Sequence, residues 1–215
     1  LYEDAARAEA RRNLSTIRSG EYEGLTEKLT QLEWKPDFGT DVFNPKVGGI
    51  VTGARFFLVA YNVNIASTDV SYSKEIGEIL RESGYSKKDE NGKIIKVDGK
   101  PIKVPGRLQN VKGMGVLLEK YGMSQVSMNL TNFRVTPIHV AFEECKKEAK
   151  RLGVKVTGSE IVGLVPLEAL LDAGKFYAQG KEYSEKDLVN LAIDSLGLSD
   201  LHPFNPEQKI IDYMI

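Results

Sequence analysis

The sequence predicts a mixed α/β fold of the α+β class, on three observations. Between Arg55 and Val165, segments with strand character and segments with helical spacing follow one another as strand, helix, strand, strand, helix, strand. The stretch after Thr136-Pro137 repeats apolar residues at three and four, and an Asp-Gly pair lies between two short apolar runs at Lys93 to Val104. That order of elements is the ferredoxin-like split βαβ pattern.

The elements follow in chain order. From Asp4 to Arg12 alanines and charges favour a helix, and after Ser19-Gly20 the residues Tyr22, Leu25, Leu29 and Leu32 give a second helix one apolar face. Between Trp34 and Gly53, Pro36, Gly39, Pro45, Gly48, Gly49 and Gly53 interrupt any long element, so an ordered irregular loop is expected. Arg55 to Asn64 is apolar on both alternating faces until Asn62, the pattern of a strand covered on both sides and central in its sheet. A helix from Ser73 to Ser83 carries Ile76, Ile79 and Leu80 and stops at Gly84. Lys93 to Val104 is an exposed hairpin turning at Asp98-Gly99. Strands follow at Val111 to Leu118 and Ser124 to Leu130. In the latter, Val126 and Met128 point one way and Gln125, Ser127 and Asn129 the other, so it has one polar face. Thr136 is placed to cap a helix with Pro137 in its first position, and Ile138, Ala141, Phe142, Cys145, Ala149 and Leu152 keep helical spacing until Gly153. Ile161 to Val165 reads as a buried strand, followed by a short helix with Leu167, Leu170 and Leu171 and by two more at Ser184 to Leu196 and Pro206 to Ile215.

Composition narrows the classes of function. The chain has 215 residues, 41% hydrophobic and 27% charged, which suits a globular protein between one and two domains at roughly 150 residues each. A net charge of -1 provides no field to attract a nucleic-acid backbone. Cys145 stands alone and only His139 and His202 accompany it, so neither a disulfide nor a four-ligand zinc site is expected. No window approaches the roughly 20 apolar residues of a membrane span, and the start has no apolar signal-peptide core, so a cytoplasmic protein without a membrane partner is expected. Leu1 leads straight into a charged helix without an initiator methionine, as though the sequence began within a fold.

The chemical signals are few. Gly48-Gly-Ile-Val-Thr-Gly53-Ala-Arg55 lacks the Lys-Ser/Thr and the following helix of a phosphate loop, and its glycines suit a tight connection better than an anion cradle. Arg55, where that loop enters a strand, offers a planar fork to a carboxylate or is a solvated charge. Asn62 and Asn64 fall on one strand face and place amides at a cleft edge, or mark where the strand leaves the core. Phe56, Phe57 and Tyr61 do not follow the consensus of RNA-recognition strands. His139, in the first turn of its helix, is expected to be packed rather than catalytic, and His202 superficial. Cys145 is expected to be a buried, inert thiol. No nucleophile, base and orienting group assemble from spacing.

Lys35-Pro-Asp-Phe-Gly39, Thr52-Gly-Ala-Arg55 with its strand, Pro105-Gly-Arg-Leu108, Ser124-Gln-Val-Ser-Met-Asn129, Gly158-Ser-Glu-Ile-Val-Gly-Leu-Val-Pro-Leu167 and Leu201-His-Pro-Phe204 together resemble the glutamate formimidoyltransferase family from about Tyr2 to the end. The resemblance implies a duplicated fold of two ferredoxin-like subdomains, with residues 1–64 the end of the first and 65–215 the second. It implies transfer of a formimidoyl group from N-formimidoyl-L-glutamate to N5 of tetrahydrofolate in histidine degradation, or of formyl groups in some members. Tetrahydrofolate is then the co-substrate and a homodimer the expected assembly. Folate contacts are implied for Arg55, Phe56, Phe57, Leu58, Val59, Ala60, Tyr61, Asn62, Val63 and Asn64, with Asn110, Val111 and Lys112 as a second segment. In that picture Arg55 and Lys112 draw the substrate's carboxylates and the aromatics form a flat wall for its rings. Asn110 departs from a basic residue common in mammalian members, and the hairpin is of the kind microbial members carry, which suggests a bacterial or archaeal source. The family's general-base histidine belongs upstream of Leu1, so no catalytic residue is expected in this chain and no turnover by it alone. The alternative is a non-catalytic small-molecule-binding or regulatory module on the same fold.

Overall fold

The computed structural model describes residues 9–215. By its contacts the chain divides into two units, Leu1–Phe56 and Phe57–Ile215. Residues 4–8 of the helix expected at the start lie outside the described residues, and Glu9–Arg11 form a 3-10 turn.

The first unit is mostly irregular. It holds two single-turn helices, α1 (Leu14–Ile17), capped by the Asn13 side chain accepting from the Ser15 N–H, and α2 (Leu25–Lys28), then a 3-10 turn at Leu32–Trp34. Side chains take up backbone acceptors that a longer helix would have used. The Lys28 ammonium donates to the carbonyls of Thr16, Ile17 and Ser19, and the Arg11 guanidinium donates to those of Glu33 and Lys35 and to the Asp37 carboxylate. The expected helix through Tyr22 to Leu32 is therefore broken into turns, with Gly24 at the cap of α2.

The second unit contains β1 (Val59–Ile65), α3 (Val70–Leu80), a small flap of β2 (Tyr85–Ser86), β3 (Lys96–Val97), β4 (Lys100–Pro101) and β5 (Lys103–Val104), then β6 (Val111–Leu118), β7 (Met123–Leu130), α4 (Ile138–Arg151), β8 (Val156–Val162), α5 (Leu167–Ala178), α6 (Glu185–Leu196) and α7 (Pro206–Lys209). The main sheet runs β6-β7-β1-β8, antiparallel throughout. Strands β1 and β6 thus run parallel with β7 between them, which is the split βαβ arrangement that the order of elements predicted. Within the flap, Val97 pairs with Lys100 across Asp98-Gly99, both at positive φ (50° and 77°), the two-residue hairpin expected there.

Helices α3 and α4 cover one face of the sheet. Val59, Tyr61 and Val63 of β1 pair with Leu130, Met128 and Val126 of β7, and all six are buried with Ile76 and Leu80 of α3 and Ile138, Phe142 and Cys145 of α4. Glu148 of α4, 2% exposed, is bonded by Arg107 and Arg151, tying the helix to the segment before β6. Burial raises its pKa, but hydrogen bonds from Arg151 and Arg107 outweigh that and hold the carboxyl below its usual range.

Several boundaries differ from expectation, among them the last helix, which is α7 and then a 3-10 turn at Ile211–Tyr213 rather than one helix to Ile215. β1 starts at Val59 rather than Arg55, because Val59 already pairs with Leu130, the last residue of β7, and β8 ends at Val162 opposite Ala60. Nothing in the sheet is left to pair with Arg55 to Leu58. Helix α3 starts at Val70, because the Asp69 side chain accepts from the Ser71 N–H and caps it. The Thr136 hydroxyl donates to the Gln109 carbonyl instead of capping α4, whose N-cap is Pro137. The last strand is Val156–Val162 rather than Ile161 to Val165, since an edge strand with one open face needs no continuous apolar run.

Glycines on β6 set how closely α3 approaches. A Cβ on Gly115 would stand 2.4 Å from the Lys74 backbone nitrogen and 2.7 Å from its Cα. Gly115→Ala is expected to cost about 3 kcal/mol by overpacking, read as a shift of the urea midpoint. Gly122→Ala makes a contrast: its Cβ would meet nothing within 4 Å, so only its positive φ of 61° resists the change.

Candidate functional site

The face of the sheet opposite α3 and α4 is open, and register places its side chains in rows. One row runs Lys112, Asn129, Ala60, Val162 from β6 to β8; the next runs Met114, Ser127, Asn62, Glu160; a third holds Val116, Gln125 and Asn64. Lys112 and Asn129 are exposed, Ala60, Asn62, Ser127 and Glu160 half-buried, and Met114 and Val162 are 59% and 50% exposed. The side chains of Lys112, Asn62, Ser127 and Asn129 make no hydrogen bond or ion pair with other described residues, so their polar atoms are available to a ligand. Short residues in the centre keep the surface flat.

One end of the face is fixed by an amide string. Gln125 Nε2 donates to Asn64 Oδ1 at 2.7 Å and lies 3.4 Å from Glu160 Oε2. Asn64 Nδ2 donates to Asp200 Oδ2 at 2.8 Å, and that oxygen also accepts from Thr157 Oγ1 at 2.6 Å. Asn64 is fully buried and Gln125 nearly so. Asn64, buried with both ends of its amide engaged, holds one rotamer, so the string fixes the floor of the site rather than binding directly.

The residues expected to contact folate therefore separate. Ala60, Asn62 and Lys112 lie on the open face. Val59, Tyr61 and Val63 are sealed against the helices, and Val111 is 2% exposed on that same side, so these four side chains face the core and not a ligand. Asn64 is committed to the amide string. Phe57, 61% exposed, and Leu58, half-buried, precede the sheet; Arg55 and Phe56 belong to the first unit and are exposed outside regular structure. The aromatic wall expected along β1 is not formed by Tyr61. Asn110 adopts a positive φ of 57°, its N–H donating to Glu82 and its carbonyl accepting from Thr131, so it shapes the turn into β6.

Both histidines are occupied elsewhere. His139 stacks on Phe176 with centroids 4.5 Å apart, on the helical side of the sheet, and burial lowers its pKa. His202 Nε2 is hydrogen-bonded to the Tyr121 hydroxyl at 2.8 Å. Cys145 is fully buried and its pKa is raised by that burial, as expected of an inert thiol. Among the described residues no cluster of His, Cys, Asp or Glu is placed to hold a metal, and no helix is long and apolar enough to cross a membrane.

Sequence reasoning missed Met114, Val162 and Glu160. Each alternates along its strand with residues that face the helices, a signal that becomes readable only once the neighbouring strand is in register.

Residues 60–215 match the family model described as "Formiminotransferase domain", and residues 1–55 match that described as "Formiminotransferase domain, N-terminal subdomain". The "Formimidoyltransferase-cyclodeaminase" of Dictyostelium discoideum is 46% identical over 100% of this chain and 38% of its own length. That of Mus musculus is 44% identical over 100% of this chain and 37% of its own. The "Glutamate formimidoyltransferase" of Streptococcus pyogenes serotype M1 is 37% identical over 85% of this chain and 54% of its own length. The chain thus spans well under half the length of the two eukaryotic relatives.

Proposed function

Because the chain belongs to the formiminotransferase domain family, we propose that it carries the folate-binding sheet of an enzyme that moves a formimidoyl group from N-formimidoyl-L-glutamate to N5 of tetrahydrofolate. The free polar atoms of Lys112, Asn62, Ser127 and Asn129 on an otherwise flat face carry this reading. A pteridine and its aminobenzoyl ring need a flat surface with scattered donors and acceptors, and their acidic tail needs a cation. This chain's residues bind and orient the co-substrate, and orientation is itself a large part of such a transfer. Neither His139 nor His202 takes the proton from N5 in this reading, since each is engaged by a neighbouring ring or hydroxyl. Residues up to Phe56 then belong to the N-terminal subdomain, the sheet to the C-terminal one, and a second copy of the chain and a cytoplasmic setting complete the picture.

Calorimetric titration with folinate tests it. Unaltered protein is expected to bind, and Lys112→Ala to bind about tenfold more weakly, the loss of one charge-assisted contact. An unaltered chain that binds no folinate would favour the non-catalytic module instead.

A further inference from the structure

Lys112 and Glu160 occupy opposite edges of the open face, one on β6 and one on β8, with the short amide and hydroxyl residues between them. Three strand spacings separate their strands, about 14 Å at the usual spacing. The face therefore carries a cation on one outer strand and a carboxylate on the other, where the Lys209 ammonium donates to the neighbouring Ile161 carbonyl at 3.4 Å and not to Glu160. Glu160 differs from Lys112, Asn62, Ser127 and Asn129 in having a polar neighbour on the face, with Gln125 Nε2 lying 3.4 Å from its Oε2. Gln125 is itself held by Asn64, and Asn64 by Asp200. Among the described residues Glu160 has no cation within ion-pair distance, and its Oε1 accepts no hydrogen bond. A half-buried carboxylate with one oxygen beside an amide and no cation to pair with calls for a ligand with adjacent donors.

Resting on the functional reading above, we propose that Glu160 is the specificity-determining residue for the 2-amino-4-oxopyrimidine edge of the folate, which therefore lies across the strands with its pteridine at β8 and its glutamate tail toward Lys112. That edge presents an N3–H and a 2-amino group side by side, a donor pair matched to two carboxylate oxygens as a guanidinium is. The reverse orientation would set the ligand's carboxylates beside Glu160 and leave Lys112 facing the pteridine, an arrangement that like charge opposes. Asn62, directly opposite Glu160 in the register, then lies under the inner edge of the pteridine.

The test compares Glu160→Gln with unaltered protein by calorimetry, using folinate, the 2-desamino-2-methyl analogue of folate, and pteroic acid, which lacks the glutamate. Glutamine keeps the shape and removes the charge, and equal melting temperatures establish that the fold is intact. Glu160→Gln is expected to weaken folinate and pteroic acid at least tenfold each and to leave the 2-desamino analogue within twofold. Lys112→Ala should weaken folinate more than pteroic acid, which keeps a single carboxylate on its benzoate where folinate carries two on its glutamate. If Glu160→Gln binds folinate as tightly as unaltered protein, or weakens the 2-desamino analogue equally, the assignment of Glu160 is overturned while the functional reading stands. No folinate binding by unaltered protein overturns the functional reading and this inference with it.

Discussion

Tyr61→Ala is expected to remove about 4 kcal/mol of folding stability, the cost of emptying a large aromatic site in a packed core. Tyr61 is fully buried in the middle of β1, which is itself central in the sheet, and it pairs with Met128 on one side and Ile161 on the other. The void would open between the sheet and α4, where a helix and two strands cannot all close in at once. Urea denaturation should show a lower midpoint with an unchanged slope. Folinate binding by the fraction still folded should keep its affinity, because the ring lies on the side away from the open face. A variant with unchanged stability and lost folinate affinity would return Tyr61 to the ligand wall that the family resemblance implies.

The contrast between Tyr61 and Asn62 explains what the sequence could convey. Strand β6 is recovered residue for residue, and the flap turn at Asp98-Gly99 as well, because each depends on local chemistry: alternation in one case, two positive φ angles in the other. The polar face of β7 is equally legible, since Gln125, Ser127 and Asn129 alternate with Val126 and Met128. In β1 the same open face carries Ala60, whose small apolar side chain is ambiguous, and only Asn62 and Asn64 mark it. The run therefore reads as covered on both sides when one side is open. Arg55 to Leu58 read as strand for a related reason: their residue types suit a strand, but strand length is limited by where β7 and β8 end. Glu160 escapes altogether, because nothing local distinguishes a carboxylate that faces an open sheet from one that faces water. Its partner Gln125 is 35 residues away, and Asp200, further along the same string, is 136 residues from Asn64.

Ser127→Trp is expected to reduce folinate affinity at least 100-fold while leaving the melting temperature within a few degrees. Ser127 sits in the centre of the open face, between Met114 of β6 and Asn62 of β1 in the register, and is half-buried. An indole there would cover the surface on which a planar ligand must lie, and would project away from the helices rather than into the core. Strand residues tolerate aromatic side chains on a pleated surface, so stability should hold. Steric exclusion from a site is worth more than the loss of one hydrogen bond, because every contact the ligand makes is lost together. Calorimetric titration against unaltered protein, beside Val126→Ala as a core control on the neighbouring residue, separates the two faces of one strand. Val126 is fully buried, so its truncation should lower stability by about 2 kcal/mol and leave affinity alone. If instead Ser127→Trp binds folinate as well as the unaltered chain, the ligand does not lie on this face, and neither Lys112 nor Glu160 can reach it from there.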